Sequence, residues 1–197
     1  MVSGKGDPEV VAAQQAAGEF LAALGIDLDR DVQQAPARML PGYAELPDAH
    51  SLLLTTFPHD EGQDELRLVR AIQFRSVCEQ HLMPFSGLAH VGYVPAGSTI
   101  ELSDLPDIVA HFAARPQSQE NLTARVADCL AAQLVPRGVG VVLEAEHSCT
   151  TMNGVWAQGA KTVTSVLLGM LRTDVRCRAE FFALAGVAGW AWCRGVT

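Results

Sequence analysis

Charge is scarce in this chain of 197 residues, and positive charge most of all. Charged residues make up 18% of it, against a typical value of roughly 25%. Only 14 Lys and Arg face 22 Asp and Glu, which gives a net charge of −8. Nucleic-acid-binding proteins usually carry a basic patch or stripe, so this composition argues against that class. It also makes a large polyanionic ligand unexpected.

Long apolar runs and a disulfide framework are missing as well. No segment approaches the roughly 20 apolar residues that span a bilayer, and the N-terminus has no signal-peptide pattern. We therefore expect a cytoplasmic protein that binds neither membrane nor nucleic acid. The five cysteines are odd in number, which favours burial or metal binding over disulfides. What the chain does have is a 49% share of hydrophobic residues, enough for a sizeable core.

The pattern of punctuating residues predicts an N-terminal helical extension over 1–63 and a single domain over 64–197. Asp7 as N-cap and Pro8 at the first position predict a helix that ends at Gly25. A second short helix is predicted around 36–44, followed by a loop rich in Pro and Gly.

From residue 64 onward, apolar residues alternate with period two in some segments and recur at helical spacing in others. The first helix after residue 64 is predicted to begin with Ser103 as N-cap. This order predicts an α+β fold with an antiparallel sheet and helices on one face. In chain order the predicted elements are strands 66–78 and 88–94, helices 103–115 and 122–135, strands 139–149 and 162–171, and a helix over 178–184.

Two short motifs carry metal-ligand chemistry. Cys78-x-x-His81 lies in a predicted loop, and His147-x-Cys149 lies at the end of a predicted strand. Zinc favours thiolate and imidazole ligands, and three protein ligands with an open fourth position mark a catalytic site. Cys78, His81 and Cys149 could supply such a set, with His147 beside it as an acid or base. Spacing alone leaves open that these are separate buried side chains.

The segment from Ser76 to Pro95 resembles the zinc-loop signature of the GTP cyclohydrolase I family. Other segments resemble further parts of that family, and the similarity covers about residues 20–185. These segments are 144–149 with 152–155, 116–123 at the start of the guanine-reading helix, and more weakly 35–38 and 162–165.

The resemblance implies a tunnelling fold, in which a four-stranded antiparallel sheet carries two helices on one face. It also implies toroidal homo-oligomers, typically decamers, with active sites between subunits. Zinc would be held by Cys78, His81 and Cys149. In the family's reaction, water activated by the metal attacks C8 of guanine. C8 leaves as formate, and the ribose is rearranged to give 7,8-dihydroneopterin triphosphate.

Residue by residue, the resemblance implies the following roles. Glu120 matches the carboxylate that reads guanine, and Gln119 matches a neighbouring binding position. Arg38 matches a phosphate-binding arginine. His147 matches a catalytic histidine, and Ser103 matches a serine of the later sugar steps.

Four positions of the implied site depart from the family pattern. Gln80 stands where the family has the first histidine of Cys-Glu-His-His, and glutamine cannot titrate. Asp104 and Asp107 stand where the family has Lys and Arg for the triphosphate, and Asn153 replaces a third basic residue. Like charges a few ångströms apart cost on the order of 1–4 kcal/mol each. A triphosphate would thus be repelled where the family attracts it.

These departures predict a zinc hydrolase for a guanine-like or pterin-like heterocycle without a triphosphate. It would act by ring C–N hydrolysis or by deamination, with His147 moving the proton, Glu79 assisting and Gln80 hydrogen bonding. The first alternative is an authentic GTP cyclohydrolase I that holds GTP with other cations. The cations considered for that role are Arg75, Arg115 and Lys161. The remaining alternatives are a nitrile reductase of the same fold, which the metal-ligand set disfavours, and a non-catalytic purine- or pterin-binding module.

Overall fold

The computed structural model describes residues 8–26, 36–37, 52, 54–58, 65–152 and 159–187. The chain separates into two units, Met1–Pro47 and Asp48–Thr197. In the first unit, α1 spans Pro8–Ala23 and confirms the first predicted helix. Gly25 follows in the left-handed region, with φ of 77°, a backbone conformation that commonly ends a helix.

Three N-terminal predictions are not tested by these residues. The N-cap role of Asp7 and all but two residues of the second predicted helix lie outside the described part of the chain. The predicted domain boundary after residue 63 stays a prediction.

The second unit contains six strands and five helices within the described residues. Among the described residues of both units, no helix is long and apolar enough to cross a membrane. In chain order the elements are β1 (Thr56–Pro58), β2 (Arg67–Val77), β3 (Pro84–Val94), β4 (Ser98–Ile100), α2 (Asp104–Ala113), α3 (Gln119–Leu134), β5 (Gly138–His147), α4 (Ser148–Met152), β6 (Thr162–Gly169), α5 (Met170–Thr173) and α6 (Val175–Ala185).

The main sheet has four antiparallel strands in the order β2-β3-β5-β6. This confirms the predicted α+β tunnelling fold. A separate two-stranded sheet pairs β1 with β4, which the sequence pattern did not predict. The register of β3 on β5 places Phe85 opposite His147, and this pairing positions much of the site described below.

The core lies between one face of the sheet and the helices α2 and α3. Alternate residues of β5 and one face of α3 are buried there, as the sequence periodicity predicts. These buried residues include Val139, Val141, Leu143, Leu122, Val126 and Leu130.

The opposite face of the sheet is partly covered by α6. Phe181 of that helix is fully buried beside β5. A Cβ at Gly140 would lie 2.7 Å from the Phe181 ring. The glycine therefore lets the ring pack directly on the strand backbone.

Strand β3 begins four residues earlier than predicted. Pro84 and Gly87 were expected to interrupt the chain, but both lie in the strand. Pro84 is its first residue, where proline is tolerated. A Cβ at Gly87 would collide with the backbone carbonyl of Glu144, so this glycine lets β3 and β5 approach closely.

Candidate active site

A tight turn between β2 and β3 presents the first two candidate metal ligands. The Cys78 amide donates to the Met83 carbonyl at 2.9 Å, and the Leu82 amide donates to the Cys78 carbonyl at 2.8 Å. Leu82 takes a left-handed backbone conformation, with φ of 51°. These bonds close the turn over a few residues and keep Cys78 and His81 near one another.

The connection between α2 and α3 holds this turn in place. Gln117 forms a parallel bridge with Cys78. Its amide donates to the Val77 carbonyl at 2.9 Å, and its carbonyl accepts from the Glu79 amide at 3.3 Å. The Gln117 side chain is 1% exposed and donates to the carbonyls of Phe112 and Arg115. No sequence pattern singled out this clamp.

The third candidate ligand lies just beyond β5. The strand was predicted to run to Cys149, but it ends at His147, and α4 begins at Ser148. The predicted continuation of the strand to Cys149 is therefore wrong. The change from strand to helix places Cys149 in the first turn of α4.

Cys78, His81 and Cys149 nevertheless come together as predicted. Their ligand atoms all lie within 4.8 Å of one another. The distance from Cys78 Sγ to His81 Nδ1 is 3.7 Å. Tetrahedral bonds to zinc would put such a sulfur and nitrogen about 3.6 Å apart. Both cysteines are free of disulfides, so the donor set and its spacing fit a zinc ion with one position left open.

His147 lies next to this group. Its ring stacks on Phe85, with centroids 4.5 Å apart and planes 3° from parallel. Its Nε2 is 2.8 Å from Gln119 Oε1. Burial lowers the pKa of His147, and the nearby carboxylate of Glu120 opposes that shift. The side chain is therefore fixed in orientation and disposed to be neutral.

Gln119 and Glu120 are consecutive residues in the first turn of α3 but point in different directions. Ser118 caps this helix, accepting from the Asn121 amide at 3.2 Å. Gln119 is 1% exposed, whereas Glu120 is exposed and close enough to act on His147. Glu120 therefore presents its carboxylate to solvent near His147.

Other predicted residues line the surroundings. Glu79 and Gln80 are exposed in the metal-binding turn, and Ser103 is exposed before α2. Ser103 holds the predicted N-cap position of α2, but its backbone is helical and its side chain makes no capping hydrogen bond. Its hydroxyl donates instead to the Glu101 carboxylate at 3.2 Å. Arg38 and Asn153 lie outside the described residues.

The acidic start of α2 has unusual electrostatics. Burial raises the pKa of Asp104, and Glu101 and Asp107 add to that effect. Asp104 Oδ2 is buried without a hydrogen-bond partner among the described residues. Asp107 is exposed in the same turn. The structure thus places the two substituted acids together on one helix turn.

Fold and metal group together define a tunnelling-fold enzyme with a Cys₂His metal centre. The family model for GTP cyclohydrolase I matches residues 13–186. The chain belongs to the GTP cyclohydrolase I family, as the resemblance predicted, and zinc is the cofactor of its metal centre.

Relatives extend over most of the chain. A "GTP cyclohydrolase 1" of Streptomyces coelicolor is 46% identical over 180 residues, covering 87% of this chain and 88% of its own. One of Thermobifida fusca is 47% identical over 174 residues, covering 85% and 84%. One of Aquifex aeolicus is 42% identical over 172 residues, covering 87% and 94%. Among solved structures, an apo archaeosine synthase QueF-Like aligns with a TM-score of 0.43 and 18% identity, over 53% of this chain and 93% of its own.

These relatives overturn the main functional prediction. A hydrolase for a heterocycle without a triphosphate was inferred from a few charge changes. Relatives 42–47% identical over most of the chain all bear the name of the authentic enzyme. The Coulombic argument was local, because it considered only the charges of the acids on α2 and not the rest of the site.

Proposed function

We propose that this chain is an authentic GTP cyclohydrolase I, which converts GTP and water to formate and 7,8-dihydroneopterin triphosphate. The observation that carries the proposal is the grouping of Cys78, His81 and Cys149, with His147 two residues before Cys149 and Glu120 close enough to act on His147. The names of the relatives support the substrate. A purine-specific enzyme needs both a hydrolytic centre and a base-reading group, and this arrangement offers both.

Cys78, His81 and Cys149 would hold zinc. When bound, zinc lowers the pKa of a coordinated water to near neutrality and so supplies a nucleophile. C8 of guanine is the carbon that leaves as formate. Two C–N bonds to C8 are cleaved by two waters, and closing the new ring returns one water.

Glu120 would orient the guanine. One carboxylate can accept from the ring N–H and the exocyclic amine together, as a charge-assisted pair. The exposed position of Glu120 on the first turn of α3 leaves both oxygens available. The neighbouring His147 would move protons at the purine ring, where the leaving nitrogen needs one.

The remaining site residues receive the following roles in the proposal. Gln80 can hold a water or substrate group by hydrogen bonds but cannot transfer a proton through its amide. Glu79 would assist His147, and Ser103 would act in the sugar rearrangement. Arg38 would contact phosphate. A homo-oligomer with sites between subunits, such as a decamer, would bring together residues of different subunits.

Phosphate binding would draw on cations outside α2. Lys161 directly precedes Thr162 of β6, and its Nζ is 3.9 Å from Glu144 Oε2. The backbone carbonyl of Arg115 accepts from Ser76 Oγ at 3.3 Å, next to the metal-binding turn. Arg115 therefore belongs to a segment that adjoins the metal-binding turn. Lys161 belongs to a segment that adjoins Gln119, whose side chain donates to the Thr162 carbonyl.

Zinc-loaded protein incubated with GTP tests the proposal directly. We expect formate and a pterin that becomes fluorescent on oxidation, in equal amounts. Glu120→Gln keeps the shape but loses one acceptor charge, so KM should rise roughly 10- to 100-fold, since hydrogen bonds to charged groups contribute about 1.5–3 kcal/mol. Glu19→Gln on α1 is the matched control. Binding of GTP without either product would refute the proposal.

A further inference from the structure

Gln119 is a buried amide whose two ends meet different kinds of group. Its Nε2 lies 3.1 Å from the carbonyl oxygens of Leu143 and Thr162 and from Thr164 Oγ1. Carbonyl oxygens can only accept. The end of the amide that faces Leu143 and Thr162 must therefore be the NH₂ group, which fixes the amide orientation.

Two threonine hydroxyls reinforce this orientation of the amide. Thr123 Oγ1 donates to the Gln119 backbone carbonyl at 2.7 Å, so its single hydrogen is used there. Thr164 Oγ1, 2.6 Å from Thr123 Oγ1, must then be the donor of that pair. Its oxygen remains free to accept from Gln119 Nε2. Gln119 Nε2 thus donates to Thr164 Oγ1, Thr164 Oγ1 donates to Thr123 Oγ1, and Thr123 Oγ1 donates to the backbone carbonyl of Gln119.

The opposite end of the amide faces His147. Gln119 Oε1 lies 2.8 Å from His147 Nε2, and a carbonyl oxygen in that position can only accept. His147 Nε2 must therefore carry the hydrogen. In the neutral ring, the lone pair is confined to Nδ1. Stacking on Phe85 holds the ring plane in which this bond is made.

We propose that Gln119 is a positioning residue that sets the tautomer of His147, so that Nδ1 is the nitrogen that exchanges protons with the substrate. This inference rests on the proposed function of His147, and it replaces the predicted role of Gln119 as a substrate contact. Both ends of the Gln119 amide are already engaged within the protein, and the side chain is 1% exposed. It acts on the substrate only through His147.

The tautomer can be read directly from nitrogen NMR of zinc-loaded protein labelled with ¹⁵N at histidine, with a His147→Asn sample to identify the signal. We expect the hydrogen on Nε2 in the wild-type protein. A hydrogen on Nδ1 would overturn the proposal. This measurement needs no substrate, so it stands even if GTP is not turned over and the proposed function fails.

Gln119→Met tests the consequence, because methionine has a similar length and no amide. We expect a mixture of His147 tautomers and a kcat for GTP reduced about 10- to 100-fold, by analogy with the loss of a hydrogen-bond partner behind a metal-ligating histidine, with KM unchanged. A raised KM with normal kcat would return Gln119 to substrate binding and contradict the proposal. So would an unchanged spectrum with unchanged kcat.

Two further variants separate positioning from folding. Gln117→Met removes the other fully buried glutamine, which does not contact His147, and should leave the His147 tautomer as in the wild type. Thr164→Val removes one acceptor of the Gln119 amide and should reduce kcat less than Gln119→Met does. If Gln117→Met changed the tautomer as much as Gln119→Met, the effect would be general loosening, and the proposal would fail.

Discussion

Two histidines on neighbouring strands meet the same burial in different ways. His147 at the end of β5 and His90 in β3 both have a pKa lowered by burial. His147 is bonded to Gln119 and stacked on Phe85. Both ring nitrogens of His90 lack a hydrogen-bond partner among the described residues. Desolvation alone therefore does not mark a functional histidine; a partner of fixed polarity and a nearby metal group do.

The largest expected effect comes from the metal side of this comparison. Cys149→Ala removes one of three zinc ligands, so bound zinc and GTP turnover should both fall to background. Cys129→Ala is the matched control, since Cys129 is a half-buried helix thiol whose pKa is raised by burial. Metal content by mass spectrometry checks both variants. Full zinc retention in Cys149→Ala would remove Cys149 from the ligand set.

Substituting each of the two histidines in turn gives the next largest expected effect. His147→Asn should lower kcat roughly 10²- to 10⁴-fold, the usual contribution of an acid–base group, with zinc retained. His90→Leu should leave kcat unchanged, because His90 lies on the sheet face opposite α2 and α3. Steady-state rates with GTP decide the outcome. Equal losses in the two variants would mean that the contrast between the histidines has no functional meaning.

The sequence predicted the metal group because its residues are set by local pattern. Period-two alternation located β5, the Cys-x-x-His and His-x-Cys spacings supplied the candidate ligands, and the family resemblance selected Cys78, His81 and Cys149 among them. The role of Gln119 could not be predicted this way. Its partners Leu143 and Thr164 are 24 and 45 residues away, and only the packing of α3 on β5 and β6 brings them together. The same holds for Gln117, which clamps the turn through backbone bonds.

The substrate was misjudged for a related reason. Asp104 and Asp107 were visible in the sequence, and the structure confirms that they share one turn of α2. Their charges are two local contributions, whereas binding of a polyanion depends on the sum of all charges around it. A sequence motif reports only the charges within that motif.

A smaller effect concerns stability, and it tests His90, whose Nε2 lies 3.7 Å from Glu144 Oε1 but makes no hydrogen bond among the described residues. Since the pKa of folded His90 lies below 6.5, the unfolded chain binds its proton more readily. The contribution of His90 to the unfolding free energy should therefore be unaffected by protonation above pH 6.5, and the unfolding free energy should decline as the pH falls below that value. Glu144 opposes this shift and Arg70 adds to it. Lys161 in turn pairs with Glu144.

His90→Leu should remove this part of the acid sensitivity. It should also raise the unfolding free energy by about 1 kcal/mol at pH 7.5, because a buried imidazole that makes no hydrogen bond among the described residues is replaced by an apolar side chain of similar size. Denaturant midpoints at pH 7.5 and 5.5 measure both effects. An unchanged difference between the two pH values would show that His90 does not contribute.

The smallest effect concerns the helix that delivers Gln119 to His147. Ser118→Ala removes the hydroxyl that accepts from the Asn121 amide, and loss of such a cap costs about 1 kcal/mol. Ser103→Ala should change stability by less than about 0.5 kcal/mol, as is usual for exposed sites, because its hydroxyl caps nothing. Unfolding free energies compare the pair. If Ser103→Ala were the more destabilising, Ser103 rather than Ser118 would be the residue that stabilises its helix start. The Ser118 cap would then not explain how α3 holds Gln119 against His147.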